Sequence, residues 1–338
     1  MYFFVNDYND ICYPEILDAL KNALDEKNFG YSFDDHSRNA ERLIKEALDS
    51  NDVDIHFVPG GTSANILGST VGLRPEESII APVTGHIQGH EAGSIEATGV
   101  KIETIQTEDG KLTPELIKDK LTEFGCEYHT VPRTVYISNT TELGTVYSYE
   151  ELEAIYKFCK ENDLYLFIDG ARFASAIANK EANLTLEKIP NVCDSFTLGG
   201  TKNGFLLGEI VVLVNDDLKR GFLNLKKQKG AMLAKGFVTG IMFETVFAKE
   251  DGYLKGARHA HNMAEKIAKG IEEKGLKLYK KFESNQVFME MDDDEVKELS
   301  KNVQFEVVGV SENKKNIARF VTTYRTTEEE VEGLINSL

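Results

Sequence analysis

Apolar side chains recur three or four positions apart between residues 14 and 49: Ile16, Leu17, Leu20 and Leu24 form one series, Leu43, Ile44, Ala47 and Leu48 another. That period lays one apolar stripe along a helix, and Gly30-Tyr31-Ser32 interrupts it, so two helices are predicted. After Val53 the pattern changes. Short apolar runs at 55–58, 78–81, 101–105, 134–138, 165–168 and 195–198 read as strands, with helical stretches between most of them. This alternation predicts an α/β fold, a mainly parallel sheet with helices on both faces. A seventh run, 208–214, follows the sixth after a loop too short for a crossover helix. It should run antiparallel to its neighbour or start a new edge. A helix at 257–273, strands at 287–291, 305–310 and 318–322, and a closing helix from Glu328 predict a smaller α+β unit. The expected division is an N-terminal helical segment, 1–47, joining the small unit; a large domain, 48–248; and a small C-terminal domain, 249–338.

Composition narrows the class of function. In 338 residues, 38 basic side chains face 56 acidic ones, a net charge of −18. Such a surface repels phosphate backbones and anionic lipid, which argues against nucleic acid and membranes as partners. No apolar run approaches the ~20 residues that span a bilayer, and Met1-Tyr2-Phe3-Phe4-Val5 runs too soon into Asn6-Asp7 to be a signal peptide. Cys12, Cys126, Cys159 and Cys193 are scattered without a CxxC pair or a metal-ligand spacing. The expectation is a cytoplasmic protein with reduced thiols and no metal.

Two residues carry the chemistry. Asp169, in Phe167-Ile168-Asp169-Gly170-Ala171-Arg172, and Lys202, 33 residues later, each lie just past an apolar strand, where an open α/β sheet presents ligands. An amine and a carboxylate at that edge can hold pyridoxal phosphate: the amine as a Schiff base with the aldehyde, the carboxylate against the protonated pyridine nitrogen. Alone, Asp169 could be a turn residue and Lys202 an exposed loop lysine. Pro59-Gly60-Gly61-Thr62-Ser63 ends one strand and opens a helix. It can cradle a phosphate, or be a tight turn with Thr62 as helix cap. His86, after the next strand, can stack on a flat ring and move protons, or be an ordinary hydrogen-bonded histidine. His90 reads as structural, and so do His259 and His261, which fall on what looks like the exposed face of a helix. Taken jointly, in this chain order, the pattern favours the cofactor.

The runs 57–65, 85–99, 168–178 and 194–208, with Ala318-Arg319-Phe320-Val321-Thr322, resemble the low-specificity threonine aldolase and β-eliminating lyase family, pyridoxal-phosphate enzymes of the aspartate-aminotransferase fold (fold type I). The resemblance implies a mainly parallel seven-stranded sheet and a smaller C-terminal domain. It makes Lys202 the Schiff-base lysine, Asp169 the pyridine-nitrogen partner and His86 the stacking histidine, with Gly61 and Thr62 as phosphate ligands. Arg172 falls to the cofactor's phenolate oxygen or the substrate carboxylate, and Arg319 with Asn6 to the substrate carboxylate. Lys235 is placed on a phosphate, across a subunit boundary, and Tyr31 and Asp34 on a wall shared between subunits of a homodimer or homotetramer. The implied reaction is cleavage of L-threonine or L-allo-threonine to glycine and acetaldehyde.

The sequence also departs from the family. Many members read Glu-Asn-Thr-His-Asn where this chain has Ser138-Asn139-Thr140-Thr141-Glu142, so Thr141 replaces a histidine near the substrate hydroxyl. Threonine cannot be a base at neutral pH. Either His86 acts through water or the substrate differs. The usual Ser-Lys-Gly-Leu is absent around Lys202, and the glycine-rich Met-Arg run appears as 229–236. The alternatives are a β-eliminating lyase or aminotransferase of the same fold, a binding protein that has lost catalysis and, more distantly, a nucleotide-binding protein, which lacks a Walker lysine and a full GxGxxG run.

Overall fold

The computed structural model describes residues 1–338, the whole chain. The main sheet holds seven strands: β1 (Asp54–Val58), β2 (Glu77–Pro82), β3 (Lys101–Ile105), β4 (Val131–Ser138), β5 (Tyr165–Asp169), β6 (Ser195–Gly199) and β7 (Glu209–Leu213). Their spatial order is β1-β7-β6-β5-β4-β2-β3. The neighbours from β6 through β3 are parallel, whereas β7 runs antiparallel to β6 and to β1. The seventh run therefore pairs with its predecessor as the short loop requires, and β1 rather than β7 forms the edge.

Alternate residues of these strands feed different cores, because side chains point to opposite faces with period two. Leu166, Ile168, Phe196, Leu198, Ile210 and Val212 join one large apolar cluster with Ile16, Ile44 and Leu152. Phe167 packs on the other face with Ile79 and Tyr136, and Val211 and Leu213 pack there against Ala64 and Leu67 of the helix Gly61–Thr70. With both faces covered, every residue of β6 and β7 is buried, the polar Ser195 and Thr197 included.

A second cluster unites Met263, Ile267 and Ile271 of the helix Gly252–Glu273 with Val287, Met289, Phe320 and Leu334. Here β8 (Gln286–Met291), β9 (Glu306–Val310) and β10 (Asn316–Val321) form an antiparallel sheet ordered β9-β10-β8. The N-terminal segment divides between the two clusters. Phe4 packs in the second, beside a parallel pairing of Tyr2–Phe3 with Val303–Gln304. The helices Pro14–Asn22 and Asp35–Ala47 instead turn Ile16, Ala40 and Ile44 into the first, so they do not join the small unit as expected.

One close approach fixes the edge where the candidate residues lie. A Cβ at Gly170 would stand 1.9 Å from the Thr197 carbonyl oxygen, so only glycine lets the turn after β5 lie this close to β6. The Gly170 N–H donates to Thr197 Oγ1 at 2.7 Å and the Gly199 N–H to the Gly170 carbonyl at 3.1 Å. Asp169 and the Lys202 turn are thereby brought to neighbouring strand ends.

Candidate active site

The helix Gly61–Thr70 is capped by Gly60, with no side chain on its first-turn N–H groups. Thr62 is not the cap, because the helix begins one residue before it. Those N–H groups lack intrahelical acceptors and carry the positive end of the helix dipole. A Cβ at Gly60 or Gly61 would meet nothing within 4 Å, so the glycines serve an open space in front of the helix, not packing against the chain.

One turn on, Asn65 is buried and donates through Nδ2 to Asp169 Oδ2 at 2.9 Å and to Glu91 Oε1 at 2.7 Å. Asp169 Oδ2 also accepts from the Tyr136 hydroxyl at 2.7 Å, and Oδ1 from the Ala171 N–H at 2.9 Å. These bonds fix the carboxylate at the end of β5.

His86 opens a short helix after β2. Its Nδ1 lies 2.8 Å from Glu91 Oε1, and its backbone N–H donates to Glu142 Oε1 at 2.8 Å. Glu91 is a buried carboxylate that also accepts from Ser94 Oγ at 2.9 Å. It selects the tautomer protonated on Nδ1, which leaves Nε2 as an acceptor.

Lys202 lies in the turn Thr201–Asn203 after β6. Its amine makes neither a hydrogen bond nor a salt bridge within the chain. Burial, reinforced by the Arg172 charge, pulls it below the usual lysine range against the opposing pull of Asp7, Asp169 and Glu209, which raises the share of nucleophilic free amine. Beneath it Glu209 Oε2 accepts from the Gly200 N–H at 2.7 Å, and burial pushes that carboxyl up to about 7. Lys202 borders a narrow cleft shared with Asp7, Ala171, Arg172, Ser175 and Asn285.

Arg172 is committed within the chain. Its Nε and Nη2 donate to Asp7 Oδ2 and Oδ1 at 2.7 and 3.0 Å, and Asn285 Nδ2 donates to Asp7 Oδ2 at 3.0 Å. Arg319, on β10, gives Nη1 to Gln286 Oε1 at 3.2 Å and Nη2 to Glu306, while its buried Nε has no partner. Asn6 does not line the cavity; its side chain accepts from the Tyr8 N–H at 3.1 Å, and Asp7 takes the inward place.

Four other expected residues lie elsewhere. Thr141 is fully buried, its hydroxyl 2.7 Å from that of Thr145, so the turn itself uses up its hydrogen bonding. Tyr31 is on the surface beneath Lys227, whose Nζ lies 4.5 Å from the ring centroid, and its N–H donates to the Ala234 carbonyl at 3.1 Å. Lys235, on that same stretch, is exposed. Asp34 caps the helix Asp35–Ala47 through the Ser37 N–H at 2.8 Å. His259 and His261 are half-buried rather than exposed: His259 Nε2 lies 2.7 Å from the Thr326 carbonyl and His261 packs on Phe282.

The sequence reading missed Asp7, Glu91, Glu142 and Glu209. One signal was available, since an acidic residue inside or beside an apolar strand, such as Glu209 before Ile210, must find a partner or change its charge.

The donor set fits pyridoxal phosphate. An open helix N-terminus suits a dianion, a fixed carboxylate suits a pyridinium nitrogen, and an unpaired, depressed lysine amine suits an aldehyde. The family model described as beta-eliminating lyase matches residues 13–294. A low-specificity L-threonine aldolase of Pseudomonas aeruginosa is 31% identical over 300 residues, 88% of this chain and 86% of the relative. One from another Pseudomonas strain is 32% identical over 296 residues, 86% of this chain and 84% of the relative. The solved threonine aldolase of Leishmania major is 40% identical, with a TM-score of 0.97 over 99% of this chain and 98% of the other. On that match and these likenesses, the chain belongs to the beta-eliminating lyase family of pyridoxal-phosphate-dependent enzymes.

Proposed function

We propose that this chain cleaves the Cα–Cβ bond of a β-hydroxy-α-amino acid, L-threonine or L-allo-threonine, to glycine and acetaldehyde. The observation that carries the reading is the depressed, unpaired Lys202 amine next to the fixed Asp169 carboxylate. Relatives bearing the threonine aldolase name support it. Bound pyridoxal phosphate supplies an electron sink for the pair left on Cα when the bond breaks. Lys202 would hold its aldehyde carbon, Asp169 would keep the ring nitrogen protonated, and the first-turn N–H groups of Gly61 and Thr62 would bind its phosphate. His86, tethered by Glu91, would cover the ring. The guanidinium nitrogens that the chain leaves without a partner, Arg319 Nε and Arg172 Nη1, are the groups offered to the substrate carboxylate.

The test is Lys202→Ala. Acetaldehyde formation from threonine, followed with a coupled alcohol dehydrogenase, should vanish together with the cofactor's visible absorption band. Turnover with the band intact would refute the assignment.

We also infer a homodimer or homotetramer. Tyr31 and Lys235 lie outside the cavity on a face that exposes Phe29, Phe33 and Leu233, and a second copy would let them complete a neighbouring site. Sedimentation velocity should give at least twice the 37.8 kDa chain mass. Four free cysteines, and no helix long and apolar enough to cross a membrane, accord with residence in the cytoplasm.

A further inference from the structure

With Thr141 in place of the family's histidine and its hydroxyl bound to Thr145, the retro-aldol reading lacks an obvious proton acceptor. Glu142, the next residue, is turned inward. Its Oε1 accepts from the His86 N–H and from Ser138 Oγ, both at 2.8 Å. Ser138 Oγ lies 3.1 Å from the Tyr136 hydroxyl, which donates to Asp169. Glu142 is thus hydrogen-bonded to the residue expected to cover the ring, and linked through two hydroxyls to the carboxylate expected to hold the ring nitrogen. Its other oxygen, Oε2, is shut off from solvent and has no hydrogen-bond partner. A carboxylate oxygen buried unsatisfied is costly, and a hydroxyl on a bound molecule would relieve that cost.

We propose that Glu142 Oε2 is the base that takes the substrate's β-hydroxyl proton. The proposal rests on the aldolase reading above. The proton passes from the hydroxyl to Oε2, the O–H electron pair becomes the second C–O bond of the aldehyde, and the Cα–Cβ bond breaks with its pair left on Cα. Cα then gains one proton, so glycine and aldehyde together balance the amino acid consumed.

The surroundings suit a base. Burial, with Asp169 nearby, raises the Glu142 carboxyl above the ordinary glutamate range, against the lowering pull of the Ser138 hydroxyl and His86. Arg172 is the cation on the same side, and Glu142 raises its pKa in turn. A carboxylate so raised is a stronger proton acceptor near neutrality than an exposed one.

The test compares two reactions of the holoenzyme. Cleavage of threonine needs a base for the hydroxyl. Exchange of the Cα hydrogen of glycine with D2O does not, since glycine has no β-hydroxyl. Glu142→Gln keeps the hydrogen bond from the His86 N–H but cannot accept the proton. It should lower kcat for cleavage by roughly 10²–10³-fold, leave glycine exchange within about threefold, and remove the acidic limb of the cleavage pH profile; Glu142→Asp should restore part of the rate.

A readout without cofactor is available as well. Infrared difference spectra of the cofactor-free protein should show a protonated carboxyl that titrates above the ordinary range in the wild type and is missing from Glu142→Gln. Cleavage within threefold of wild type, or parallel loss of cleavage and exchange, would overturn the role. Wild-type protein that exchanges glycine but does not cleave threonine would instead overturn the aldolase reading itself.

Discussion

Replacing Glu209 with glutamine should make the cofactor-free protein more stable, and only on the alkaline side. Glu209 is buried at the start of β7, and burial lifts its carboxyl from 4.5 to about 7. At ~1.4 kcal/mol per pH unit, that distance amounts to about 3 kcal/mol. The sign follows from which state holds the proton. Below 4.5 both folded and unfolded chains keep it, and the side chain costs nothing. Between 4.5 and about 7 the unfolded chain releases it while the folded chain retains it, so folded stability falls as pH rises. Above about 7 the whole penalty is present. Glutamine accepts the Gly200 N–H in the same way but carries no charge to desolvate. Urea unfolding of both proteins at constant ionic strength should give equal stabilities near pH 4 and a gain of about 3 kcal/mol for Glu209→Gln near pH 8. Comparing the two proteins cancels the other titrating groups. A gain independent of pH, or a loss at pH 8, would refute burial as the source of the shift.

Other outcomes follow from the same geometry. Asp7→Ala strips the buried Arg172 of its carboxylate and should cost about 3–5 kcal/mol by urea unfolding near pH 7. Although burial opposes it, Arg172 and then Lys202 hold the Asp7 carboxyl below 3.8. The difference should therefore persist through mildly acidic pH and fade only as pH falls below that value; a difference that faded near pH 6 would count against the pair. Gly61→Ala meets no chain atom within 4 Å, so the melting temperature of the cofactor-free protein should stay constant. The methyl group would enter the space assigned to the phosphate, and absorbance titration should show cofactor Kd rising by about tenfold or more, the loss of one charge-assisted hydrogen bond. Unchanged affinity would move the phosphate site elsewhere.

The sequence by itself determined the layers and the chemistry-bearing strand ends. Apolar runs with period two or near-continuous burial report local faces directly, which is why 165–168 and 195–198 are recognisable as β5 and β6, and why Asp169 and Lys202 could be placed at one edge. The short loop before 208–214 left β7 either antiparallel to its neighbour or at a new edge, and only the folded sheet chose the first. What sequence could not supply were pairings set by register and long-range packing. Asp7 meets Arg172 across 165 residues and Glu142 meets His86 across 56, with nothing local to either partner that encodes the meeting. The two-residue strands Tyr2–Phe3 and Val303–Gln304 are too short to carry a period, and each is defined only by the other. His259 and His261 looked solvent-facing on the helix Gly252–Glu273, because helical periodicity gives an apolar stripe but not which neighbours will cover its flank. A local pattern fixes where a side chain points relative to its own element; the tertiary structure alone decides what it meets there, since that depends on how distant elements close on one another.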